Sequence, residues 1–458
     1  PMIFGWQIVT DDAHLLLIGT VIAISILPIT LMLQGPFGKN LRALATNEVG
    51  ASAYGISASN YLIWAFMLSG AVTALAGGVS APRQRIIDTD SFGLHYSILA
   101  LAAPVLGGLT SVWGGMVGGS LMRILPEVLR PVSDYIDLIF AALVILTLRY
   151  APGGITDTIA RFFDRRGTPK ELTAAARMKP PSKVNLTPLV VDVPFENERY
   201  PALEVDGVTK RYDALRAVDD ASIIVPAGSL FGVIGPNGAG KTTLFNMISG
   251  FVTPDTGKIA CFGTSIHPGR PEQRIEHGIT RTFQNVAIFP TLSCFDNVLI
   301  GLGSNTPLNS IARSFDRALR NRRHMEEGLL VDQALAAVGL AAERDLRAGS
   351  LSLGDQRRLE IARAIVSRPR LLLLDEPVSG LSADEADALK PLLRGIVRQQ
   401  GITIFVIEHD VGFLLDLCDS LAVMSSGKVI AQGAPKEVIA EPEVQRIYFG
   451  SITAVAHA

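Results

Sequence analysis

Charge is what the first third of this chain lacks. Residues 1–150 hold seven Lys/Arg and eight Asp/Glu, whereas the remaining 308 residues hold 34 and 35. Soluble domains carry about 25% charged residues, so the first segment reads as a membrane domain and the rest as a soluble one. Cysteine is nearly missing too. Cys261, Cys294 and Cys418 are far apart, odd in number and without CxxC or CxxH spacing. That excludes a disulfide framework or a zinc site and fits a reducing compartment for the second half. There is no basic excess: the formal net charge is −2. Nucleic-acid binding is therefore not expected, because it needs clustered Lys and Arg to neutralise phosphates. The 48% hydrophobic content excludes disorder for most of the chain. The opening Pro1-Met2 carries no basic leader, and further spans are expected upstream of it.

A helix crosses a bilayer with about 17–25 apolar residues. Residues 14–33 and 60–80 are nearly uncharged over that length. Shorter candidates lie at 94–109, 112–129 and 135–148, interrupted by Pro104, Arg123 and Pro126. About five spans are expected, with the two ends on opposite sides. Lys39 and Arg42 in the loop 34–59, and Arg149, Arg161, Arg165 and Arg166 after the last span, put those segments in the cytoplasm. Arg83, Arg85 and Arg130 on the other side make the bias mild. Gly114, Gly115, Gly118 and Gly119 form overlapping small-xxx-small pairs that let helix backbones approach closely. The segment Arg42 to Gly55 reads as one polar-to-amphipathic helix between two spans, stopped by Gly55. Taken alone it fits a solvated interfacial helix equally well.

Residues 151–202 change character. Ile155, Ile159, Phe162 and Phe163 give a short helix one apolar face along a membrane surface. Beyond it Pro169, Pro180, Pro181, Pro188, Pro194 and Pro201 interrupt a polar stretch of linker composition.

In the soluble half the run Gly235-Pro236-Asn237-Gly238-Ala239-Gly240-Lys241-Thr242-Thr243 follows an apolar strand and opens a helix. This is G-x-x-x-x-G-K-T in its confirming context. The glycines free backbone N–H groups to wrap phosphate oxygens, and the helix N-terminus adds positive potential. Lys241 reaches the outer phosphates and the Thr242 hydroxyl holds Mg²⁺. A second strand, Leu371 to Leu374, ends in Asp375-Glu376. Four leucines fit a strand buried on both faces of a parallel sheet. Asp375 can hold the metal shell, and Glu376 can polarise a water for attack on the γ-phosphate.

Between them lies Leu351-Ser352-Leu353-Gly354-Asp355, followed by Gln-Arg-Arg-Leu-Glu-Ile-Ala-Arg-Ala-Ile. The order resembles the ATP-binding cassette of ABC transporters, where this element is the LSGGQ signature. Leu353 and Asp355 depart from that motif, while Ser352 and Gly354 keep it. The resemblance implies that Ser352 and Gly354 face the γ-phosphate of ATP held by a second cassette. It also implies that Tyr212 stacks on adenine, that Gln284 senses Mg²⁺ and touches the permease, and that His409 contacts the γ-phosphate. Read singly, Tyr212 is a surface aromatic, Gln284 a loop residue and His409 a strand-end histidine. Ser382 stands where the family's D-loop has Asp, which puts equal communication between paired sites in doubt.

The long helical insert 285–350 and the ending Glu-Val-Gln-Arg-Ile-Tyr-Phe-Gly resemble the ATPase of the branched-chain (hydrophobic) amino acid importers. The first half resembles their permease in Pro36-Phe37-Gly38-Lys39, Arg42 to Glu48, Tyr54-Gly55-Ile56, Asp90-Ser-Phe-Gly and Leu106 to Gly114. On this resemblance the segment 42–56 docks in a cassette groove near Gln284. The expected fold is an all-α membrane domain of about five transmembrane helices, followed by an α/β P-loop ABC ATPase domain with a helical subdomain. The expected domains are a permease at 1–150, a linker at 151–202, the cassette at 203–450 and a tail at 451–458.

The expected cofactors are ATP and Mg²⁺, the metal held by Thr242, Gln284 and Asp375. Glu376, His409 and Gln284 are the expected catalytic set. The implied partners are a second ATPase, a second permease subunit, an extracytoplasmic solute-binding protein and membrane lipid, with no nucleic acid. The implied function is ATP-driven uptake of branched-chain amino acids or related small polar solutes across the cytoplasmic (inner) membrane. Two alternatives remain: a half-size exporter of lipid or drug, and a urea or amide importer of the same family.

Overall fold

The computed structural model describes residues 2–3, 6–7, 11–81, 94–109, 111–151, 153–156, 158–159, 200–266, 271–303, 306–319 and 322–449. Arg83, Arg85, the Asp90-Ser-Phe-Gly stretch, Arg161 to Arg166, the prolines from Pro169 to Pro194 and the tail 451–458 lie outside the described residues. After a short antiparallel pair, β1 (Met2–Ile3) and β2 (Trp6–Gln7), the described residues of the first 150 hold seven α-helices. They are α1 (Asp11–Gln34), α2 (Pro36–Thr46), α3 (Glu48–Ser52), α4 (Ala58–Ser80), α5 (Leu94–Gly107), α6 (Val112–Val128) and α7 (Ile136–Tyr150). The chain forms two compact units, one of residues 1–30 and 67–179, the other of residues 31–66 and 180–458.

Helices occur at each apolar stretch of the first 150 residues. Among the described residues, two of them, Leu15–Gln34 and Ala58–Ser80, are long and apolar enough to cross a membrane. Helices α5 and α6 pack on each other, and the glycines explain how. A β-carbon on Gly118 would collide with the Ala103 carbonyl, and one on Gly107 with the Gly114 carbonyl. Gly115 and Gly119 meet nothing within 4 Å. One glycine row serves the contact and the other faces away. Large apolar side chains such as Leu16, Leu101 and Leu138 stay exposed, as surfaces solvated by lipid do.

The second unit contains the segment 31–66 and the soluble half. Its strands are β3 (Leu203–Tyr212), β4 (Leu215–Val225), β5 (Leu230–Ile234), β6 (Thr256–Cys261), β7 (Thr264–Ser265), β8 (Ile279–Arg281), β9 (Leu371–Asp375), β10 (Thr403–Ile407), β11 (Ser420–Ser425) and β12 (Lys428–Gly433). A six-stranded sheet runs in the order β12-β11-β5-β10-β9-β8 and is parallel except for β12. A second sheet, β4-β3-β6-β7, is antiparallel. Every residue of β5, β9 and β10 is buried, because both faces of the larger sheet are covered. Successive residues therefore feed two cores. Phe231, Leu373 and Phe405 join the one on the antiparallel-sheet side, while Leu230, Leu372 and Ile404 join the one on the helical side.

Among the described residues the α-helices of this half are α8 (Lys241–Ile248), α9 (Cys294–Ile300), α10 (Pro307–Leu319), α11 (Arg322–Ala337), α12 (Leu353–Ile365), α13 (Ala383–Gln400), α14 (Val411–Leu417), α15 (Pro435–Ala440) and α16 (Pro442–Phe449). Helices α9 to α12 form the helical part inserted between β8 and β9; α9, α11 and α12 pack on one another, and α10 packs on α2. Several carry local start signals. Ser293, Ser352, Ser382 and Asp410 cap α9, α12, α13 and α14, each accepting a backbone N–H of the first turn.

The segment 42–55 is two helices rather than the single one expected. Asn47 leaves helical geometry at φ −154° and accepts the Gly50 N–H at 2.7 Å, ending α2 and capping α3. Pro36 starts α2 earlier, at a position where its missing N–H costs nothing. One face of this segment is buried, at Ala43, Gly50, Ala51, Ala53 and Tyr54, while Arg42, Ala45, Thr46, Glu48 and Val49 stay exposed.

Candidate active site

The parallel strands β5, β9 and β10 point their C-terminal ends the same way, and ligands of such sheets bind outside those ends. The glycine loop leaves β5 there. Gly238 and Gly240 take φ +81° and +97°, and a β-carbon on Gly240 would collide with the Ala217 carbonyl. Pro236, Asn237, Gly238 and Thr242 are exposed along the loop, while Gly235 and Ala239 are buried and Thr243 is half-buried. Lys241 opens α8 and folds back, donating to the Gly235 carbonyl at 2.6 Å and to the Pro236 carbonyl at 3.0 Å. Burial pulls its ammonium down from the ordinary lysine range, against the pull of Glu376.

Asp375 ends β9, with its carboxylate 2.9 Å from the Arg281 guanidinium. Burial raises its pKa, and Arg281 opposes that rise. Arg281 is built into the centre of the site. It donates to Asn246 at 2.6 Å and to Ser249 at 2.8 Å, and its guanidinium lies 4.5 Å from the Phe245 ring and 5.0 Å from Phe251 and Phe283.

Glu376 sits just beyond the strand in a strained conformation, φ +46°. Its N–H donates to the Ile407 carbonyl at 2.9 Å. One carboxylate oxygen accepts Gln284 Nε2 at 2.8 Å, and the other lies 2.8 Å from His409 Nε2. Glu408 holds the same corner, accepting the N–H groups of Val378 at 2.8 Å and of His409 at 3.0 Å. Burial pushes the Glu408 carboxyl up, and these amides oppose it.

The sequence-expected residues thus divide. The Glu376 carboxylate joins Gln284 and His409, Asp375 precedes it in the chain and is held by Arg281, and Lys241 is bonded to its own loop while feeling the Glu376 charge. Ser352 and Gly354 have other neighbours. Ser352 caps α12 and donates to Asp355 at 2.9 Å, while Gly354 lies beneath Glu385. Tyr212 is 46% exposed at the end of β3, with the Lys210 ammonium 5.7 Å from its ring. Ser382 forms a capping box with Glu385 at the start of α13. Serine and aspartate cap equally well, so this departure leaves the local geometry supported.

Arg281, Arg357, Glu360 and Glu408 were not singled out from sequence. Arg281 ends the three-residue strand β8, Ile279-Thr280-Arg281, whose complete burial is not legible in so short and polar a run. The docked segment also reaches this region. The Tyr54 hydroxyl donates to the Arg281 carbonyl at 3.4 Å, and a β-carbon on Gly50 would stand 3.2 Å from that of Ala287. Lys39 pairs with Asp296 on α9. Asn40 and Ser310 each bond the Tyr61 hydroxyl at 2.7 Å, and Phe37 stacks on Tyr61 with ring centroids 5.4 Å apart.

Comparison with known proteins matches both halves. Residues 218–379 match the family model for ABC transporters, and residues 3–148 match that of the branched-chain amino acid transport system permease component. The high-affinity branched-chain amino acid transport ATP-binding protein BraF of Pseudomonas aeruginosa is 37% identical over 251 residues, covering 55% of this chain and 98% of that protein. The corresponding LivG of Escherichia coli is 35% identical over 254 residues, covering 55% and 98%. A crystal structure of a nucleotide-free ATP-binding cassette from an ABC transporter covers 55% of this chain and 99% of its own, at 31% identity and a TM-score of 0.48.

Proposed function

The chain belongs to the ABC transporter family, and from that premise we propose that it is the fused permease and ATPase subunit of an importer for branched-chain amino acids or related small polar solutes. The observation that carries this reading is the joining, in one chain, of a branched-chain-type permease segment to a cassette similar to branched-chain amino acid transport ATPases.

The loop Gly235 to Thr243 wraps the phosphates of ATP, with Lys241 leaving its two loop carbonyls for the outer phosphates. Tyr212 stacks on adenine from its exposed position. The donor set suits Mg²⁺, a hard cation that takes one or two carboxylates plus phosphate oxygens. Thr242 offers a hydroxyl and Asp375 a carboxylate. Gln284 offers its amide oxygen, since its nitrogen is spent on Glu376. When bound, the cation neutralises charge on the β- and γ-phosphates. Glu376 orients and polarises the attacking water, and His409, anchored on the other Glu376 oxygen, faces the γ-phosphate. Ser352 and Gly354 serve the nucleotide of a second cassette.

The permease half spans the cytoplasmic membrane about five times within this chain, with the cassette in the cytoplasm. Closure of paired cassettes switches the access of the paired permeases. A second permease, a second ATPase and an extracytoplasmic binding protein complete the transporter.

The test is ATP hydrolysis by the chain and its co-purifying partners in lipid vesicles, with leucine, urea or a lipophilic drug added alongside the binding protein. Glu376→Gln serves as blank. Stimulation by leucine is expected, and stimulation by urea moves the solute within the same architecture. Stimulation by drug without any binding protein overturns the importer reading in favour of a half-size exporter.

A further inference from the structure

Helix α12 buries three charged side chains almost completely: Arg357 at 2% exposure, Glu360 at 0% and Arg363 at 0%. Burying charge is costly, and apolar residues of similar volume often serve stability as well or better. These three therefore need a reason beyond packing, and the main chain of 283–287 supplies it. Glu360 accepts the N–H groups of Phe283 at 3.1 Å and Ala287 at 3.4 Å. Arg357 donates to the carbonyls of Phe283 at 2.6 Å and Gln284 at 2.8 Å, and pairs with Glu360 at 3.0 Å. Arg363 donates to the Ala287 carbonyl at 2.7 Å.

One residue earlier the chain belongs to the sheet. Thr282 donates its N–H to Leu373 on β9 at 2.9 Å, and its hydroxyl lies 3.4 Å from the Asp375 N–H. The handover from sheet to α12 falls between Thr282 and Phe283. Gln284 sits just past that joint. Its backbone is held to α12, while its side chain reaches back to Glu376 at the end of β9. Five charge-assisted bonds from buried side chains fix the first connection, and one side-chain contact makes the second. The stronger connection is the one that persists when the two bodies shift.

Helix α12 starts at Ser352, and near its other end the Arg363 guanidinium lies 4.6 Å from the ring of Tyr54 in the docked segment. We infer that Arg357 and Glu360 are positioning residues that clamp the main chain of Phe283 to Ala287 onto α12, so that the Gln284–Glu376 contact follows the position of the signature residues and of the Tyr54 seat. This rests on the reading that Gln284 and Glu376 serve ATP hydrolysis. It adds the device that makes their contact conditional.

The experiment uses the full chain in lipid nanodiscs with MgATP, comparing wild type, Glu360→Gln and Arg357→Lys. Glu360→Gln keeps shape but gives up the pairing with Arg357. The amide exchange of Phe283 and Ala287 is expected to quicken about 10-fold, as when a charged acceptor is lost. The kcat is expected to fall about 10-fold, with KM for ATP and the stoichiometry of fluorescent-nucleotide binding unchanged. Arg357→Lys keeps the charge without the fork and is expected to fall between. Should Glu360→Gln not fold, Arg357→Lys carries the same readouts.

Faster exchange with an unchanged kcat overturns the inference. So does a loss of kcat in proportion to lost nucleotide-binding stoichiometry, which marks a merely structural role. Glu376→Gln is measured in parallel. If it hydrolyses ATP at the wild-type rate, the site reading fails on its own, while the exchange rates still report the clamp.

Discussion

Replacing Arg281 by Met tests whether the arginine at the centre of the site holds Asp375 in place. The guanidinium and the carboxylate have side-chain exposures of 8% and 6% and lie 2.9 Å apart. Deleting one partner of such a pair leaves a buried charge without compensation and costs about 3–5 kcal/mol. The three ring contacts add about 0.5–2 kcal/mol each, but they share one guanidinium and do not sum. The methionine stem recovers part of the packing. A net loss of about 4 kcal/mol is a large share of the ~5–15 kcal/mol that stabilises a domain. With a urea slope of about 3 kcal/mol per M, the unfolding midpoint moves down by about 1.3 M.

The assay is urea unfolding of the full chain in detergent, followed by far-UV circular dichroism. Asp375→Asn is then added to the Arg281→Met background. Because the neutral amide removes the stranded charge, the double variant should recover about 1–3 kcal/mol relative to the sum of the single losses. A single-variant shift below about 0.2 M, or strict additivity in the double variant, refutes the reasoning.

Glu376→Gln preserves the size of a side chain contacted by Gln284 and His409 but removes its basicity. ATP hydrolysis should fall about 10²–10⁴-fold, with nucleotide affinity retained, as measured by phosphate release and fluorescent-nucleotide binding. Ser382→Ala should cost about 1 kcal/mol in the urea assay and Ser382→Asp almost nothing, since both Ser and Asp cap α13; equal losses count against the capping account. Burial pushes the thiols of Cys261 and Cys294 up to about 12 and about 11, and raises Cys418 as well. Native protein at pH 8 should therefore leave all three unreacted with a thiol reagent, and denatured protein should expose all three. Gly118→Leu should separate α5 from α6 and lower the detergent melting temperature, whereas Gly119→Leu, with open space around it, should leave that temperature unchanged.

What could be read from the sequence is what local chemistry encodes. The glycine loop needs its residues at fixed spacing to make one backbone shape. The strand of four leucines needs them because both faces are covered. Each motif therefore announces itself within ten residues, and Lys241, Asp375 and Glu376 were placed without a fold. The docked segment 36–56 was located by resemblance and its extent misjudged. One side-chain hydrogen bond from Asn47 splits it into two helices, a choice between capping and continuing that helix propensity does not decide.

Arg357 and Glu360 were hidden for a physical reason. In Gln-Arg-Arg-Leu-Glu, charges three residues apart read as a solvated helix face, and that is the usual outcome for such pairs. Here Arg357 and Arg358 are adjacent, yet one is fully buried while Arg358 pairs with Asp355 nearer the surface. Only the placement of segment 283–287 against α12 tells the two apart, because that segment brings two carbonyls and two N–H groups that find their partners on the buried side chains of Arg357 and Glu360. The charges on α12 answer a demand set about 75 residues away in the chain. A local pattern cannot carry such a demand, and the residues that link the two parts of a switch are the ones it leaves unread.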